Sequence, residues 1–320
     1  MSVLIDVLRC FTLPELYKVN DSRELTLKGW LASKQFKVEE NVLANEFKLK
    51  IYDLNDIYIP FAFDINRMAT SSFESIHGIE PNQSFPKSVG WLIVRLYYSA
   101  YYAAQAVLRL FGISCSQFDQ QESRVISEIA KVWGYLPDKS VSKGYYCCVL
   151  DWDSQEISCK KLDNSHADVW FTLYEYLEQI ATSVNDDDAF INEEKKEVIE
   201  YIYELRYGLS CRNTKSNGNF LSMVRNQVNY QHSMGAWYPY NGRVAEHSSL
   251  FGVVDNWKKE FSIDNLVNAK PENDLLLFAE TCSSIVSLCF SLTKDLHLQN
   301  SDCFLKHGAS SFLNRAKVKI

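Results

Sequence analysis

The segment 90–111, GWLIVRLYYSAYYAAQAVLRLF, constrains the fold of this chain more than any other stretch. Gly112 follows it, and glycine is the residue that most often closes a helix. Side chains on nearly every face are apolar or aromatic, which predicts a long helix buried inside the chain or against a second subunit. Because Arg95 and Arg109 interrupt the apolar run, we expect a buried helix of a folded domain and no membrane span.

The chain beyond residue 86 has the same helical character. Periodicity predicts further helices at 116–133, 167–184 and 191–207, from 220 to the WYPY sequence at 237–240, and at 272–296. Two β-rich segments, 145–150 and 157–162, flank a polar turn and predict a hairpin between helices. A flexible polar loop is expected at 212–219. We therefore predict a mainly α fold, a helical bundle with an inserted β-hairpin.

The first 85 residues have a different texture. Polar and apolar residues alternate at 46–52, which predicts a half-buried strand, and 57–61 predicts a second strand that ends near a proline. Residues 70–88 are rich in Ser, Asn, Pro and Gly, as in a linker or long loop. We expect a small α+β region at 1–85, a helical domain at 86–300 with its hairpin near 145–162, and a peripheral tail at 301–320.

Charge, cysteine content and the motifs that are missing limit the partners, the cellular compartment and the reactions that the sequence predicts. The net charge of −7 over 320 residues is not that of a basic nucleic-acid-binding protein, so the chain would need a local basic site or a partner to hold RNA. Nine cysteines without a CxxC pair predict reduced core thiols in a cytoplasmic protein. Asp6 and Arg9 interrupt the apolar start, so no signal peptide is predicted. The acidic run 185–188 predicts a solvated loop without metal-binding spacing. The sequence contains no P-loop, GxGxxG, GxSxG or HExxH motif.

The residues from which we predict a function lie in the sequence 223–240, MVRNQVNYQHSMGAWYPY. Arg225 and His232 are separated by six residues. In a helix this is about two turns, which places both side chains on one stripe roughly 10 Å apart along the axis. A guanidinium and an imidazole can hold a phosphodiester and transfer a proton beside it without a metal ion. Asn226 follows the arginine and can donate or accept hydrogen bonds.

Two segments together resemble the HEPN superfamily (higher eukaryotes and prokaryotes nucleotide-binding). Residues 97–109, YYSAYYAAQAVLR, are similar to the aromatic and Ala-rich early helix of that family. Arg225, the polar Asn226 and His232 match its signature of Arg, a polar residue, and His after four to six intervening positions. The run 225–230 also resembles the Arg-x-x-x-Asn/Asp-Tyr form of many members, including inactive ones. The resemblance covers about 90–297, with insertions.

The resemblance implies a four- or five-helix bundle that forms a homodimer, with the Arg and His of two protomers meeting in one composite site. Active members are metal-independent endoribonucleases, often toxins or anti-phage effectors. On that basis Arg225 would hold the scissile phosphate, His232 would be the general acid or base, and Asn226 would orient the site. We expect Asn229, Tyr230 and Tyr102 to bind substrate. No cofactor or metal is implied, and the partners would be RNA and an antitoxin or defence complex. A related toxin subgroup has Tyr two positions after the His, where this chain has Met234.

Other interpretations stay open. The same bundle could be a catalytically inactive interaction module, or a nucleotide-sensing subunit that regulates a neighbouring enzyme. The tyrosines at 97–102 could stack on bases, although aromatic residues in a helix more often belong to the core or an interface. Structural or solvent-facing roles are expected for the scattered histidines at 77, 166, 297 and 307.

Overall fold

The computed structural model describes residues 3–21, 23–79, 88–135, 140–211, 217–238, 247–259 and 274–319. Within these ranges there are eleven α-helices and five strands, and 62% of the described residues are helical. The helices are α1 Val3–Arg9, α2 Leu27–Ser33, α3 Leu54–Ile76, α4 Gly90–Leu110, α5 Gln120–Val132, α6 Ala167–Asp186, α7 Asn192–Leu209, α8 Phe220–Gln231, α9 His247–Val254, α10 Asp274–Gln299 and α11 Ala309–Arg315. The strands are β1 Phe36–Val38, β2 Glu46–Ile51, β3 Ile113–Phe118, β4 Gly144–Asp151 and β5 Glu156–Leu162. The prediction of a mainly α fold is confirmed.

Helix α4 lies at the centre of the molecule, where α3, α10 and α8 pack against it. The predicted helix at 90–111 is therefore confirmed, and Gly112 follows it with a φ of 78°, a conformation that glycine adopts without steric cost. A Cβ at Gly112 would lie 3.3 Å from the carbonyl oxygen of Leu150, so the turn is also tightly packed. This close packing fixes the C-terminal end of α4 relative to strand β4.

Helix α10 is the helix within the described ranges that is long and apolar enough to cross a membrane. However, 89% of its most apolar window is buried inside the fold. Burial of this kind is typical of the core helix of a folded domain. The predicted helix at 272–296 is thus confirmed as a core element.

The five strands form one antiparallel sheet in the order β1-β2-β5-β4-β3. The predicted hairpin is confirmed as β4 and β5, with Cys148 opposite Cys159 in its register. The hairpin is not an isolated insertion, however. Strand β2 pairs with β5 and places Phe47 opposite Cys159, so the hairpin lies inside the five-stranded sheet. The sheet thus crosses the boundary that we expected near residue 85. None of the nine cysteines forms a disulfide, and six of them are buried.

The predicted strand at 57–61 is wrong, because these residues lie inside helix α3. Asp53 caps this helix, and its Oδ1 accepts a hydrogen bond from the amide of Asn55 at 2.9 Å. Ile57, Phe61 and Ile65 share its buried face at helical spacing. The loop predicted at 70–88 is also wrong up to Ile76, where α3 ends, and residues 80–87 lie outside the described ranges.

Two further boundaries differ from the predictions. The segment 116–133 begins in strand β3 and becomes helix α5 only at Gln120. The side chain of Glu122 accepts a hydrogen bond from the amide of Asp119 at 2.6 Å, which is half of a capping box that starts the helix there. The expected peripheral tail is instead packed, with Leu313 of α11 buried in the core. Of the predicted loop at 212–219, residues 212–216 lie outside the described ranges.

Candidate functional site

Helix α8 positions the residues of the predicted motif. It begins at Phe220, as predicted, and buries Leu221, Val224 and Val228 against its neighbours, which include α4 and α10. It ends at Gln231, several residues before the WYPY sequence that we expected to terminate it. Beyond Gln231 the chain turns, so the prediction that one helical stripe carries both catalytic side chains is wrong for His232.

The end of α8 is set by the backbone of His232, which has a φ of 51° in the left-handed region. The amide of His232 donates a hydrogen bond to the carbonyl oxygen of Gln227, and the amide of Ser233 donates to the same oxygen at 3.2 Å. Left-handed residues at a helix C-terminus cost a non-glycine side chain roughly 1–2 kcal/mol. A strained backbone at this position is a reason to look for function.

The loop after α8 is fastened to the start of α4. The indole Nε1 of Trp237 donates to the carbonyl oxygen of Val228 at 2.7 Å. The carbonyl oxygen of Ala236 accepts from the amide of Gly90 at 3.0 Å. A Cβ on Gly90 would lie 2.2 Å from the Trp237 ring, so the close approach requires glycine. The imidazole of His232 is exposed, and its centroid is 5.9 Å from that of the Trp237 ring. Trp237 is thus the aromatic side chain that His232 contacts.

Arg225 is buried, with 6% of its surface exposed, and its guanidinium lies among aromatic rings. The guanidinium carbon is 5.0 Å from the ring centroid of Tyr97, 5.9 Å from that of Tyr98 and 5.7 Å from that of Tyr230. Nη1 donates to Oδ1 of Asn226 at 2.9 Å and to the hydroxyl of Tyr230 at 3.3 Å. The structure therefore brings three predicted site residues, Arg225, Asn226 and Tyr230, into direct contact.

The charge of Arg225 has no anionic partner among the residues that the structure describes. Its Nε is buried without a hydrogen-bond partner. A buried arginine is normally paired, because removing a charge from water costs several kcal/mol unless an opposite charge compensates it. Cation–π contacts recover only about 0.5–2 kcal/mol each. An arginine in this state is prepared to accept an oxyanion.

The remaining predicted residues are less closely connected to Arg225. No contact in the described part of the chain joins His232 to Arg225. Asn229 is half-buried on the same helix and likewise has no side-chain contact with Arg225 there. Tyr102 lies about one helical turn beyond Tyr98 on α4, and the two ring centroids are 6.3 Å apart. Tyr102 therefore lies at the edge of the aromatic cluster, beyond the rings around the guanidinium.

Sequence reasoning missed His166, which joins this cluster from the start of α6. Its Nδ1 is 3.0 Å from the hydroxyl of Tyr97, and its ring is 4.7 Å from that of Tyr101. Burial, followed by the positive charge of Arg225, lowers the pKa of His166 below that of a free imidazole. Burial likewise raises the pKa of Tyr97. No spacing rule connects residues 166 and 225, so only the tyrosine run at 97–102 hinted at a shared site.

No group of three or more His, Cys, Asp or Glu residues with the geometry to hold a metal ion occurs in the described ranges. A scan against protein-family models, a search of curated proteins and a search of solved structures each found no match to this chain.

Proposed function

We propose that the chain is a metal-independent endoribonuclease of the HEPN type, acting as a homodimer on RNA in the cytoplasm as a toxin or anti-phage effector. The observation that carries the proposal is the buried guanidinium of Arg225, which has no anionic partner among the described residues and lies on the helix that ends at the exposed His232. The resemblance of residues 225–232 to the HEPN signature supports it as well.

The two side chains supply what RNA cleavage requires. RNA carries its own nucleophile, the 2′-hydroxyl, so an enzyme needs to transfer protons and to stabilise the charge that develops on the phosphate. Arg225, held by Asn226 and Tyr230, would bind and stabilise the phosphate oxygens. An imidazole changes its charge near neutral pH, so His232 would transfer the proton.

A dimer follows from the geometry of α8 under this proposal. Arg225 lies inside α8, whereas His232 follows its last residue and makes no contact with Arg225 in the described part of the chain, yet a catalytic group must be within about 3 Å of the atom with which it exchanges a proton. A two-fold related copy of α8 would bring a second His232 towards each Arg225, and two-fold dimers are the commonest oligomers. The site would then be shared between protomers.

Cleavage of labelled RNA in the presence of EDTA tests the proposal. Arg225→Gln and His232→Ala should each reduce cleavage by about 10²–10³-fold, the usual effect of removing a group that stabilises transition-state charge. His307→Ala is the matched control, because His307 is an exposed histidine on another surface. Retained cleavage in both variants would remove these residues from the mechanism.

Mixing the two inactive variants tests the shared site. If Arg225 of one protomer acts with His232 of its partner, a mixed dimer of Arg225→Gln and His232→Ala contains one intact pair and regains activity. If each chain acts alone, the mixture stays inactive. Light scattering during gel filtration would report whether the mixture is dimeric.

The second candidate is an inactive HEPN-like domain that binds a partner or a nucleotide. The enclosure of Arg225 by three tyrosine rings favours it, because the same contacts would stabilise an arginine with no substrate. Exposed Trp91, which contacts Trp237 edge to face, adds an aromatic surface suited to a partner. Calorimetric binding of nucleotides without any cleavage by the wild-type protein would favour this candidate.

A further inference from the structure

Two side chains from different helices lie against the same pair of tyrosine rings. Tyr97 and Tyr98 of α4 contact the guanidinium of Arg225 from α8, at 5.0 and 5.9 Å. The same two rings lie 5.9 and 6.3 Å from the imidazole of His166. The guanidinium charge is near enough to the imidazole to affect its protonation. Arg225 and His166 therefore belong to one local site, although 58 residues lie between them in the sequence.

A chain of hydrogen bonds fixes the orientation of His166. The indole Nε1 of Trp170, which can only donate, donates to the Tyr97 hydroxyl at 3.1 Å. The single hydroxyl proton of Tyr97 is then free to donate to Nδ1 of His166, 3.0 Å away. Nδ1 is the acceptor in this arrangement, so the proton of the neutral ring is on Nε2.

The Nε2 of His166 has no hydrogen-bond partner among the residues that the structure describes. Nε of Arg225 is likewise buried without a hydrogen-bond partner, whereas Nη1 donates to Asn226 and Tyr230. The nearest carboxylate in sequence to His166 is Asp168, whose Oδ2 already accepts from the amides of residues 163 and 164, at 2.7 and 2.8 Å. Two unused donors thus remain, one on each of two neighbouring side chains.

The groups around His166 keep its ring neutral near pH 7. Tyr97, Tyr98 and Tyr101 on α4 provide burial without negative charge, and α8 provides the cation of Arg225. Both influences lower the pKa of His166. A neutral imidazole can donate a hydrogen bond to an oxyanion, whereas it could not lie beside Arg225 as a second cation without repulsion.

We propose that His166 is a second phosphate-binding residue, whose Nε2–H donates to a phosphate oxygen that Arg225 also contacts. The inference rests on the proposed function, since it assigns another substrate contact to the same site. Its ligand class is a phosphodiester or free phosphate. His166 would bind and orient this group, and His232 would remain the residue that transfers protons.

Nuclear magnetic resonance of protein labelled with ¹⁵N-histidine tests the site without any cleavage assay. We expect His166 to show an unprotonated Nδ1 and a protonated Nε2, with saturable shift changes on addition of inorganic phosphate. Arg225→Gln should abolish the phosphate response. His297 is the internal control, because its Nδ1 also has a hydroxyl partner, Ser310, at 3.2 Å. A protonated Nδ1, or no specific response of His166 to phosphate, overturns the inference.

Kinetics on RNA supply the second test. His166→Phe keeps an aromatic ring but removes the donor, and we expect KM to rise about 10- to 100-fold with little change in kcat, as for a lost hydrogen bond to a charged group. His166→Gln keeps an N–H donor and an oxygen that can accept from Tyr97, so it should stay within about threefold of wild type. Equal loss of kcat in both variants would make His166 a proton-transfer group and overturn its assignment as a donor.

The outcomes separate the two proposals. If wild-type protein cleaves RNA through Arg225 but tolerates His166→Phe, the assignment of His166 is wrong and the proposed function stands. If wild-type protein does not cleave RNA but His166 responds to phosphate through Arg225, the phosphate site stands and the nuclease proposal is wrong.

Discussion

The fold contains two buried arginines whose surroundings differ in one respect. Arg109, at the end of α4, has 2% of its surface exposed, and Arg225 on α8 has 6%. Arg109 lies 3.6 Å from a carboxylate oxygen of Asp64. Arg225 has no such partner among the described residues and lies against aromatic rings instead. The same side chain is thus compensated in one place and left uncompensated in the other.

The region around Arg109 is a polar network anchored by an ion pair, although Nε of Arg109, like that of Arg225, is buried without a hydrogen-bond partner. Nη1 donates to Oε1 of Gln105 at 2.6 Å, and Nη2 donates to the carbonyl oxygen of Cys115 at 3.2 Å. Gln105 in turn donates to the hydroxyl of Tyr145 at 2.9 Å, which ties α4 to strand β4. Such a network stabilises one arrangement of a core. The lesson is that burial alone does not distinguish a structural arginine from a candidate binding residue, whereas the presence of a partner does.

The largest expected effect is on stability, at Arg109. Arg109→Met leaves the buried Asp64 with only Arg67 as an ion-pair partner and Gln105 without its donor, so we expect the free energy of unfolding to fall by about 3 kcal/mol. Arg124→Met is the control, because Arg124 is an exposed arginine paired at 3.5 Å with Glu128, and it should cost less than about 0.5 kcal/mol. Chemical denaturation measures both. Equal losses in the free energy of unfolding of the two variants would contradict the expectation that the buried ion pair contributes more than the exposed one.

The second effect concerns Arg225, whose replacement we expect to change stability little and RNA cleavage strongly. Arg225→Met leaves no buried carboxylate unpaired, so we expect the free energy of unfolding to change by at most about 1 kcal/mol. RNA cleavage by the same variant should fall by about 10²–10³-fold. A loss of stability as large as that of Arg109→Met would instead identify Arg225 as a structural residue.

The third effect concerns the loop that carries His232. Gly90→Ala would push the Trp237 ring away, because the new Cβ would lie 2.2 Å from it, and overpacking of this kind costs about 1–3 kcal/mol. Since Trp237 supports His232, we expect RNA cleavage to fall as well. Gly252→Ala is the control, since a Cβ there meets no described atom within 4 Å. Loss of stability with unchanged cleavage would show that the loop does not position His232.

The fourth effect is a gain of stability. His232→Gly relieves the left-handed backbone, with its φ of 51°, and we expect an increase in the free energy of unfolding of about 1 kcal/mol while RNA cleavage is lost. The exposed Lys34, at the C-terminus of α2 with a φ of 59°, is the control. Lys34→Gly should increase stability by a similar amount without affecting cleavage. A destabilised His232→Gly variant would contradict the idea that strain is tolerated here for function.

The smallest effect is the pH dependence of stability. Because the pKa of His166 is lowered in the folded protein, the unfolded chain binds a proton at this residue more readily. The contribution of neutral His166 is fully present above the unfolded pKa of about 6.5 and is lost as pH falls towards the folded pKa. Relative to wild type, His166→Gln should lose less stability between about pH 7 and pH 5. Parallel pH profiles would show that His166 titrates normally.

The sequence predicted the long helices and the hairpin, but it did not predict features that depend on contacts between segments distant in the chain. Helix α4 and the β4–β5 hairpin could be predicted because their periodicity and turns are local. The strand predicted at 57–61 rested on a window too short to show that apolar residues recur at helical spacing through Phe73. Pairing of β2 with β5 could not be read from either strand alone.

The candidate site was only partly predictable for the same reason. Arg225, Asn226 and Tyr230 lie close together in the sequence and could be predicted from their spacing, and the structure brings them into contact. Sequence spacing could not give His166, because tertiary packing of α6 against α4 places that residue. Nor could it show that His232 leaves the helix, since the left-handed turn depends on the fastening of the following loop to Gly90.

The guanidinium of Arg9 donates to both carboxylate oxygens of Asp295, at 2.7 and 2.6 Å, across 286 residues of chain. This ion pair therefore forms only after α10 has been synthesised, although α1 also packs against α7. Because folding proceeds as the chain emerges, the surfaces of α1 and α4 that α10 covers stay exposed to solvent until α10 follows. A ribosome that stalls before α10 would release a product in which α4 lacks one of its main packing partners, and such exposed apolar surface is what cellular proteases act on.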